Sequence, residues 1–440
     1  MKTPVPAPDT FELWDAVITE QPGRLAALLA RPMDDSAYMA WDKLMRSTPP
    51  EGLDHRIWWL ALRIARRQRA RELPLRQKDG SAFTYVLTDR ILEACEDIAR
   101  RAGGQIQLSQ AALDLGSRDS YIFHSLVEES ITSSQLEGAS TSRRVAKEML
   151  ETQREPRDRS ERMILNNFEA MEFVRSLHDE ELTPELVLEI HRVVTEGVLD
   201  DPADAGRLEQ PGGDRVQVFG HDDQVLHRPP AAEELPERLQ ALCDFANGQH
   251  ATYLSPVVRA VTIHFMVGYD HYFADGNGRT ARALFYWSML RSGYWLVEHL
   301  TISKILKGAP SQYAFSYLLT EDDDGDLTHF LHYQLGVIQR ALDEMTAYLQ
   351  RKTDELETMR QTVSPSAELS SRQAQFLEAA ADDPAHLVTV KQYAERFRVS
   401  DETARTDLNQ LTDQDLLVKR KVGKAFRWGP AEGLAGRLRG

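Results

Sequence analysis

Cysteine is all but missing from this chain. Cys95 and Cys243 stand far apart among 440 residues and form no CxxC pattern, which excludes a disulfide framework and a cysteine-based zinc site and suits a reducing compartment. Positive charge is also short. The 52 Lys and Arg against 68 Asp and Glu leave a net charge of −16, which argues against wholesale binding to nucleic acid or an anionic membrane and leaves room only for a local basic patch. No apolar run approaches a membrane span, and the opening MKTPVPAPDTFELWD has no apolar core of signal-peptide length. The expectation is a cytoplasmic protein with no membrane partner. Repeats and low-complexity tracts are absent as well. What remains is the composition of a globular protein, long enough for two or three domains.

Helical periodicity fills most of the sequence, and the fold class expected is mainly all-α. SPVVRAVTIHFMVGYD opens with Ser255 as a cap and Pro256 in the first turn, then repeats apolar residues at three- and four-residue spacing. TPELVLEIHRVVTEG has the same grammar, with Thr183 as cap and Gly197 as stop. Extended structure is expected in two hairpins: ELPLRQKDGSAFTYVLT, turning at Asp79-Gly80, and RVQVFGHDDQVLHRPP at 215–230. Residues 1–105, with Trp41, Trp58 and Trp59, read as a helical accessory domain. Residues 106–350 read as the helical core, and 351–371 as a helix end and linker. Residues 372–430 have helix-turn-helix spacing followed by a two-stranded wing rich in lysine and arginine.

The stretch HYFADGNGRTAR, residues 271 to 282, carries the chemistry. Gly-Asn-Gly alone is a tight connection, but a helix starts directly after it, so unpaired N–H groups face a glycine loop that permits close approach. That is an anion site. Arg279 and Arg282 sit in the first turns of that helix, where cations oppose the dipole and need a local reason such as a bound polyphosphate. Asp275 is a carboxylate placed where a magnesium ion bridging phosphates would sit. His271 ends the preceding helix and suits a general base near neutral pH. The spacing matches neither a P-loop nor a dinucleotide fingerprint.

These twelve residues resemble the signature of the Fic family, HPFx[DE]GNGRxxR, with Tyr272 at the one departure, where the family usually has proline. The resemblance implies a Fic helical core over roughly residues 100–350, with an N-terminal accessory region and a C-terminal winged helix-turn-helix. It also implies transfer of AMP from ATP to a Ser, Thr or Tyr hydroxyl of a protein. His271 would be the catalytic base and Asp275 the magnesium ligand. Gly276, Asn277, Gly278, Arg279, Thr280, Ala281 and Arg282 would hold the phosphates. The hairpin at 215–228 would be the flap, with Phe219 and Gly220 over the nucleotide and an extended segment of the target pairing to its edge. Tyr313, with Thr320 seven residues on, resembles the adenine-side pair, beside the plain alternative of core packing. Pairing of two copies through the Fic core is a further implication.

SSQLEG, residues 133 to 138, resembles the inhibitory motif [ST]xxxE[GN] of the same family, on a helix near 120–138. Ser133 and Glu137 would then meet Arg282 and take the arginine that the γ-phosphate needs, so that basal activity is low. In some relatives this glutamate assists removal of AMP, which makes de-AMPylation an alternative function. Regulation through DNA is another, with Arg405 on the recognition helix and Lys419, Lys421 and Lys424 on the wing; a protein partner there is equally open. EDDDGDLTHF, residues 321 to 330, lacks the glycine position and closing glutamate of an EF-hand and reads as a solvated acidic loop. His191, His264 and His299 read as satisfied core histidines.

Overall fold

The elements follow from where the chain places its caps, prolines and apolar stripes. A computed structural model describes residues 3–20, 34–103, 115–212, 215–219, 224–249, 252–363, 369–382, 387–397, 399–422, 425–431 and 433–434. Helices α1 (Thr10–Glu20), α2 (Trp41–Leu44) and α3 (His55–Arg69) precede the hairpin β1 (Arg71–Arg76) and β2 (Ala82–Tyr85). Then come α4 (Asp89–Gly103), α5 (Leu115–Leu136), α6 (Arg143–Thr152), α7 (Arg159–Ser176) and α8 (Pro184–Thr195). A second hairpin, β3 (Val218–Phe219) with β4 (Val225–His227), leads into α9 (Leu235–Ala246), α10 (Pro256–Asp270) and α11 (Asn277–Arg291). Next follow α12 (Ile302–Gly308), α13 (Pro310–Asp322) and the long α14 (Thr328–Val363). The last elements are α15 (Ser371–Asp382), α16 (Val390–Phe397), α17 (Asp401–Asp413) and the wing strands β5 (Leu417–Val422) and β6 (Ala425–Pro430).

The chain divides into two compact units. Met1–Gly104 with Ser125–Leu342 form one, and Gln105–His124 with Asp343–Gly440 form the other. The N-terminal region therefore shares a unit with the helical core. At the centre of that unit α10 and α11 lie against each other, both buried on nearly every side, α10 as a mostly apolar helix and α11 with Asn277, Arg279, Thr280 and Arg282 among its buried residues. Thr183 caps α8 by accepting the Leu186 N–H at 3.2 Å. Ser255 occupies the N-cap of α10 without a side-chain capping bond, and Pro256 alone starts the helix.

The acidic loop before α14 is only partly solvated, with Asp324 exposed. Asp323 and Asp326 are buried, with Asp323 held by Arg63 and by His329 at 2.8 Å, and Asp326 accepting the Tyr38 hydroxyl at 2.5 Å. A run of acids from outside the N-terminal region finds its cations inside it, so the loop pins that region to the core. Asp323, Asp326 and His329 are the one group of three clustered ligand-type side chains among the described residues. Arg63 and Arg66 already supply positive charge to Asp323, so this is an ion-pair knot.

In the second unit, Phe376, Leu377, Tyr393, Leu408, Leu411 and Trp428 share a small core. Ser400 caps α17 through the Thr403 N–H at 3.1 Å, and β5 pairs with β6 in antiparallel register from Leu417↔Pro430 to Val422↔Ala425.

Candidate active site

His271 ends α10 in the left-handed region, at φ 50° and ψ 59°, a conformation a non-glycine residue holds only when its surroundings fix it. Its Nδ1 lies 2.8 Å from the Gly268 carbonyl. A carbonyl can only accept, so Nδ1 carries the proton and Nε2 presents a bare lone pair. Burial pushes the imidazole pKa below its ordinary value, which keeps the ring neutral and basic at neutral pH.

The loop after it is built from within. Asn277 is buried and spends both ends of its amide on Phe273, donating to its carbonyl at 2.6 Å and accepting its N–H at 3.1 Å. The amide is thus a staple, and what Asn277 can offer a ligand is its backbone N–H. Thr280 likewise gives its hydroxyl to the Gly276 carbonyl at 2.9 Å, and Ala281 is buried in the helix. Gly276 sits at φ 85°, and a Cβ there would come within 2.6 Å of Thr195 Cγ2, so both conformation and space require glycine.

His191 braces the loop from below. Its ring stacks on Phe273 at 3.7 Å with the planes 4° apart. Nδ1 accepts the Gly206 N–H at 3.0 Å, so Nε2 must donate to the Asp275 carbonyl, 2.9 Å away. Burial holds this histidine neutral, with its pKa lowered to about 4.

Above the loop, the N–H groups of Asn277, Gly278 and Arg279 have no acceptor within α11. Two buried arginines frame them. Arg279 donates Nη1 to the Val194 carbonyl at 3.1 Å, while its Nε and Nη2 make no hydrogen bond among the described residues. Nη2 stands 3.6 Å from the Asp275 carboxylate. Arg282 donates Nε to Ser133 Oγ at 2.8 Å, and Nη2 both to the Ser133 carbonyl at 3.2 Å and to Glu137 Oε1 at 2.8 Å; Nη1 has no partner among the described residues. Burial opposes the Arg282 charge, but Glu137, with Tyr313 and Glu129 nearby, more than offsets it, and its pKa stands above the ordinary value. Buried guanidinium donors without acceptors are rare and point to an anion.

Glu137 fills that position. A Cβ added to Gly278 would collide with Glu137 Oε1, so the carboxylate lies directly on the glycine at the positive end of α11. Its helix is anchored ahead of this contact. Buried Glu129 accepts the Ser303 N–H at 3.0 Å and the Ser303 hydroxyl, Ser134 donates to the Met163 carbonyl at 3.1 Å, and Lys307 donates to Gln135 at 2.6 Å.

Of the remaining sequence-derived residues, Asp275 stands by Arg279 and Tyr313 by Arg282. Asp275 is exposed at the rim, one oxygen accepting the Gly276 N–H at 2.6 Å and the other 4.0 Å from Arg159. Phe219 projects from β3 with 56% of its surface exposed, and Gly220 lies outside the described residues, as does Lys424. Tyr313 places its hydroxyl 2.8 Å from Nε2 of buried His264, and Thr320 is buried with its hydroxyl on the Ser316 carbonyl at 3.2 Å. In the C-terminal unit Arg405 pairs with Glu402 on its own helix at 3.3 Å, while Lys419 and Lys421 are exposed on the wing. Asp407 is buried and held by Arg372 at 3.1 Å and Tyr393 at 3.2 Å, so it faces the core of the unit.

Sequence reasoning missed Arg215, which donates Nη2 to the carbonyls of Asp270 at 2.8 Å and His271 at 3.0 Å. It also missed the bracing role of His191. Neither has a local motif, and both act across more than fifty residues of sequence.

Residues 181–289 match the model of the Fic/DOC family, and residues 372–426 match that of the DeoR-like helix-turn-helix domain. The protein adenylyltransferase Fic of Nematostella vectensis is 29% identical over 193 residues, covering 43% of this chain and 40% of that protein. The protein of the same name from Drosophila melanogaster is 26% identical over 313 residues, covering 68% of this chain and 58% of that one. The chain thus spans about half the length of these curated relatives. A solved Fic family protein from Desulfovibrio desulfuricans shares the fold with a TM-score of 0.54 at 18% identity, over 79% of this chain and 98% of that one. The signature on the loop between α10 and α11 thus lies inside the stretch, residues 181–289, that is similar to the Fic/DOC family.

Proposed function

We propose that this chain is a protein adenylyltransferase held in check by its own Glu137. The observation that carries the reading is the Glu137 carboxylate on Gly278 and Arg282. A carboxylate there mimics a phosphate and competes with one for the same donors.

In the active state the triphosphate of ATP replaces Glu137. Its oxygens take the N–H groups at the start of α11, and the donors that Arg279 and Arg282 leave unused turn to the phosphates. His271 Nε2 accepts the proton of a target hydroxyl as that oxygen attacks the α-phosphorus. The bond from the α-phosphorus to the bridging oxygen breaks, and pyrophosphate leaves. Positioning and charge stabilisation carry most of the rate. Asp275 fits a magnesium ion, because its rim carboxylate beside the phosphate donors is the kind of single oxygen ligand that this ion takes together with substrate phosphates. When bound, the ion would neutralise phosphate charge. The β3–β4 hairpin, with exposed Phe219, supports docking of an extended target segment by strand addition. Mass analysis of protein incubated with ATP and magnesium tests the reading. Glu137→Gly should gain the mass of an adenylyl group, and Glu137→Gly with His271→Ala should not.

One observation favours DNA as a partner of the C-terminal unit. Arg420 and Arg427 face each other across the wing, and like charges directly opposite are unfavourable without an anion between them. Lys419 stacks at 4.8 Å on Phe426 and Trp428 beside them. Steeply salt-dependent binding of duplex DNA, weakened by Arg420→Ala, would support this; no binding at low salt would end it.

A further inference from the structure

We propose that Tyr272 is a positioning residue for His271, closing a side-chain staple across it through Asp270 and Arg238. The proposal rests on the adenylyl-transfer reading and assigns a role to residues outside the phosphate cradle.

Tyr272 is fully buried, and its hydroxyl donates to Asp270 Oδ2 at 2.7 Å. The residue before the base and the residue after it are therefore joined by their side chains, and the bond spans His271. Asp270 is itself fully buried at the C-terminal end of α10, where a carboxylate opposes the helix dipole. Such a group needs donors. Arg238 gives the second one, with Nη1 3.1 Å from Asp270 Oδ1. The same guanidinium reaches the carbonyls of Arg76 at 2.8 Å and Gln77 at 2.9 Å, which anchors the staple to the end of β1.

The backbone is held to match. Arg215 takes the carbonyls of Asp270 and His271, and the Glu209 N–H donates to the Tyr272 carbonyl at 2.9 Å. What these contacts fix is the left-handed turn at His271, and with it the direction of Nε2. Proline, which the family signature carries at this place, fixes the φ of residue 272 through its ring. Tyrosine has no such restriction, and the Asp270–Tyr272 bond supplies it instead. The departure from the signature and the buried carboxylate two residues upstream then have one explanation.

Tyr272→Phe removes the hydroxyl and keeps the ring packing. In the full chain carrying Glu137→Gly, it should lower kcat for AMP transfer at least tenfold while leaving KM for ATP and the affinity for a non-hydrolysable ATP analogue within twofold. In the chain with Glu137 intact, NMR of labelled histidine should show altered His271 ring signals in Tyr272→Phe. Retention of kcat within twofold would overturn the proposal. So would a parallel loss of kcat, analogue affinity and melting temperature, which would mark a purely structural contact. If the Glu137→Gly chain transfers no AMP, the reading of the site fails by itself. The His271 signals then decide: a change with Tyr272→Phe supports the staple, and unchanged signals overturn it.

Discussion

Glu137 Oε1 and Arg282 Nη2 lie 2.8 Å apart, although 145 residues separate them in sequence. The contact joins a helix end to the one arginine of the signature that also binds Ser133 twice. Ser133 therefore helps to hold Arg282 against Glu137, the arrangement proposed above to be inhibited. Ser133→Ala should raise basal AMP incorporation a few-fold, and by less than Glu137→Gly, because the carboxylate still occupies the donors. Initial rates with labelled ATP check the order.

The acid limb of the pH profile is a second consequence. The His271 pKa is depressed by burial, so the neutral, proton-accepting ring persists to lower pH than a free imidazole would allow. For Glu137→Gly, kcat/KM should hold as pH falls through about 6.5, the ordinary imidazole value, and drop only below it. A limb above that value would mean that the free enzyme's essential base is not His271 in this setting.

Asn277 should matter for stability before it matters for binding. Asn277→Ala removes both bonds to Phe273 and leaves a buried carbonyl and N–H without partners, a loss of about 1–3 kcal/mol. Denaturant unfolding of Asn277→Ala against the parent chain measures it.

Gly278 gives a prediction with an unusual sign. A Cβ there would push the Glu137 carboxylate off the glycine. The same methyl also bars a phosphate. Gly278→Ala should therefore fail to activate the chain, and in the Glu137→Gly background it should weaken ATP-analogue binding at least tenfold. Calorimetry of the two variants separates this from simple derepression.

Much of this was legible because the signature is local. His271, Gly276, Gly278, Arg279 and Arg282 fall within twelve residues, and the helix start that gathers them around the glycine loop is itself written in the sequence. The Glu137–Arg282 contact was legible only through a motif, since no periodicity links the two residues. What was not legible depends on long-range packing of ordinary residue types. His191, Arg215 and Arg238 look like any surface or core residue until the fold brings them under the loop. The acidic run at 321–326 misled for the same reason, because its cations, Arg63 and Arg66, lie some 260 residues earlier. Tyr272 reads as a bare exception to the signature until Asp270 is seen beneath it.

The account turns on Glu137 as the group that keeps ATP from Arg282. The most direct measurement is the rate of AMP incorporation by wild type, Glu137→Gly and Glu137→Gly with Arg282→Ala, at equal protein concentration with labelled ATP and magnesium. The account predicts at least a tenfold rise for Glu137→Gly over wild type and loss of that gain when Arg282 is also removed. Equal rates for wild type and Glu137→Gly, with incorporation still dependent on His271, would contradict it.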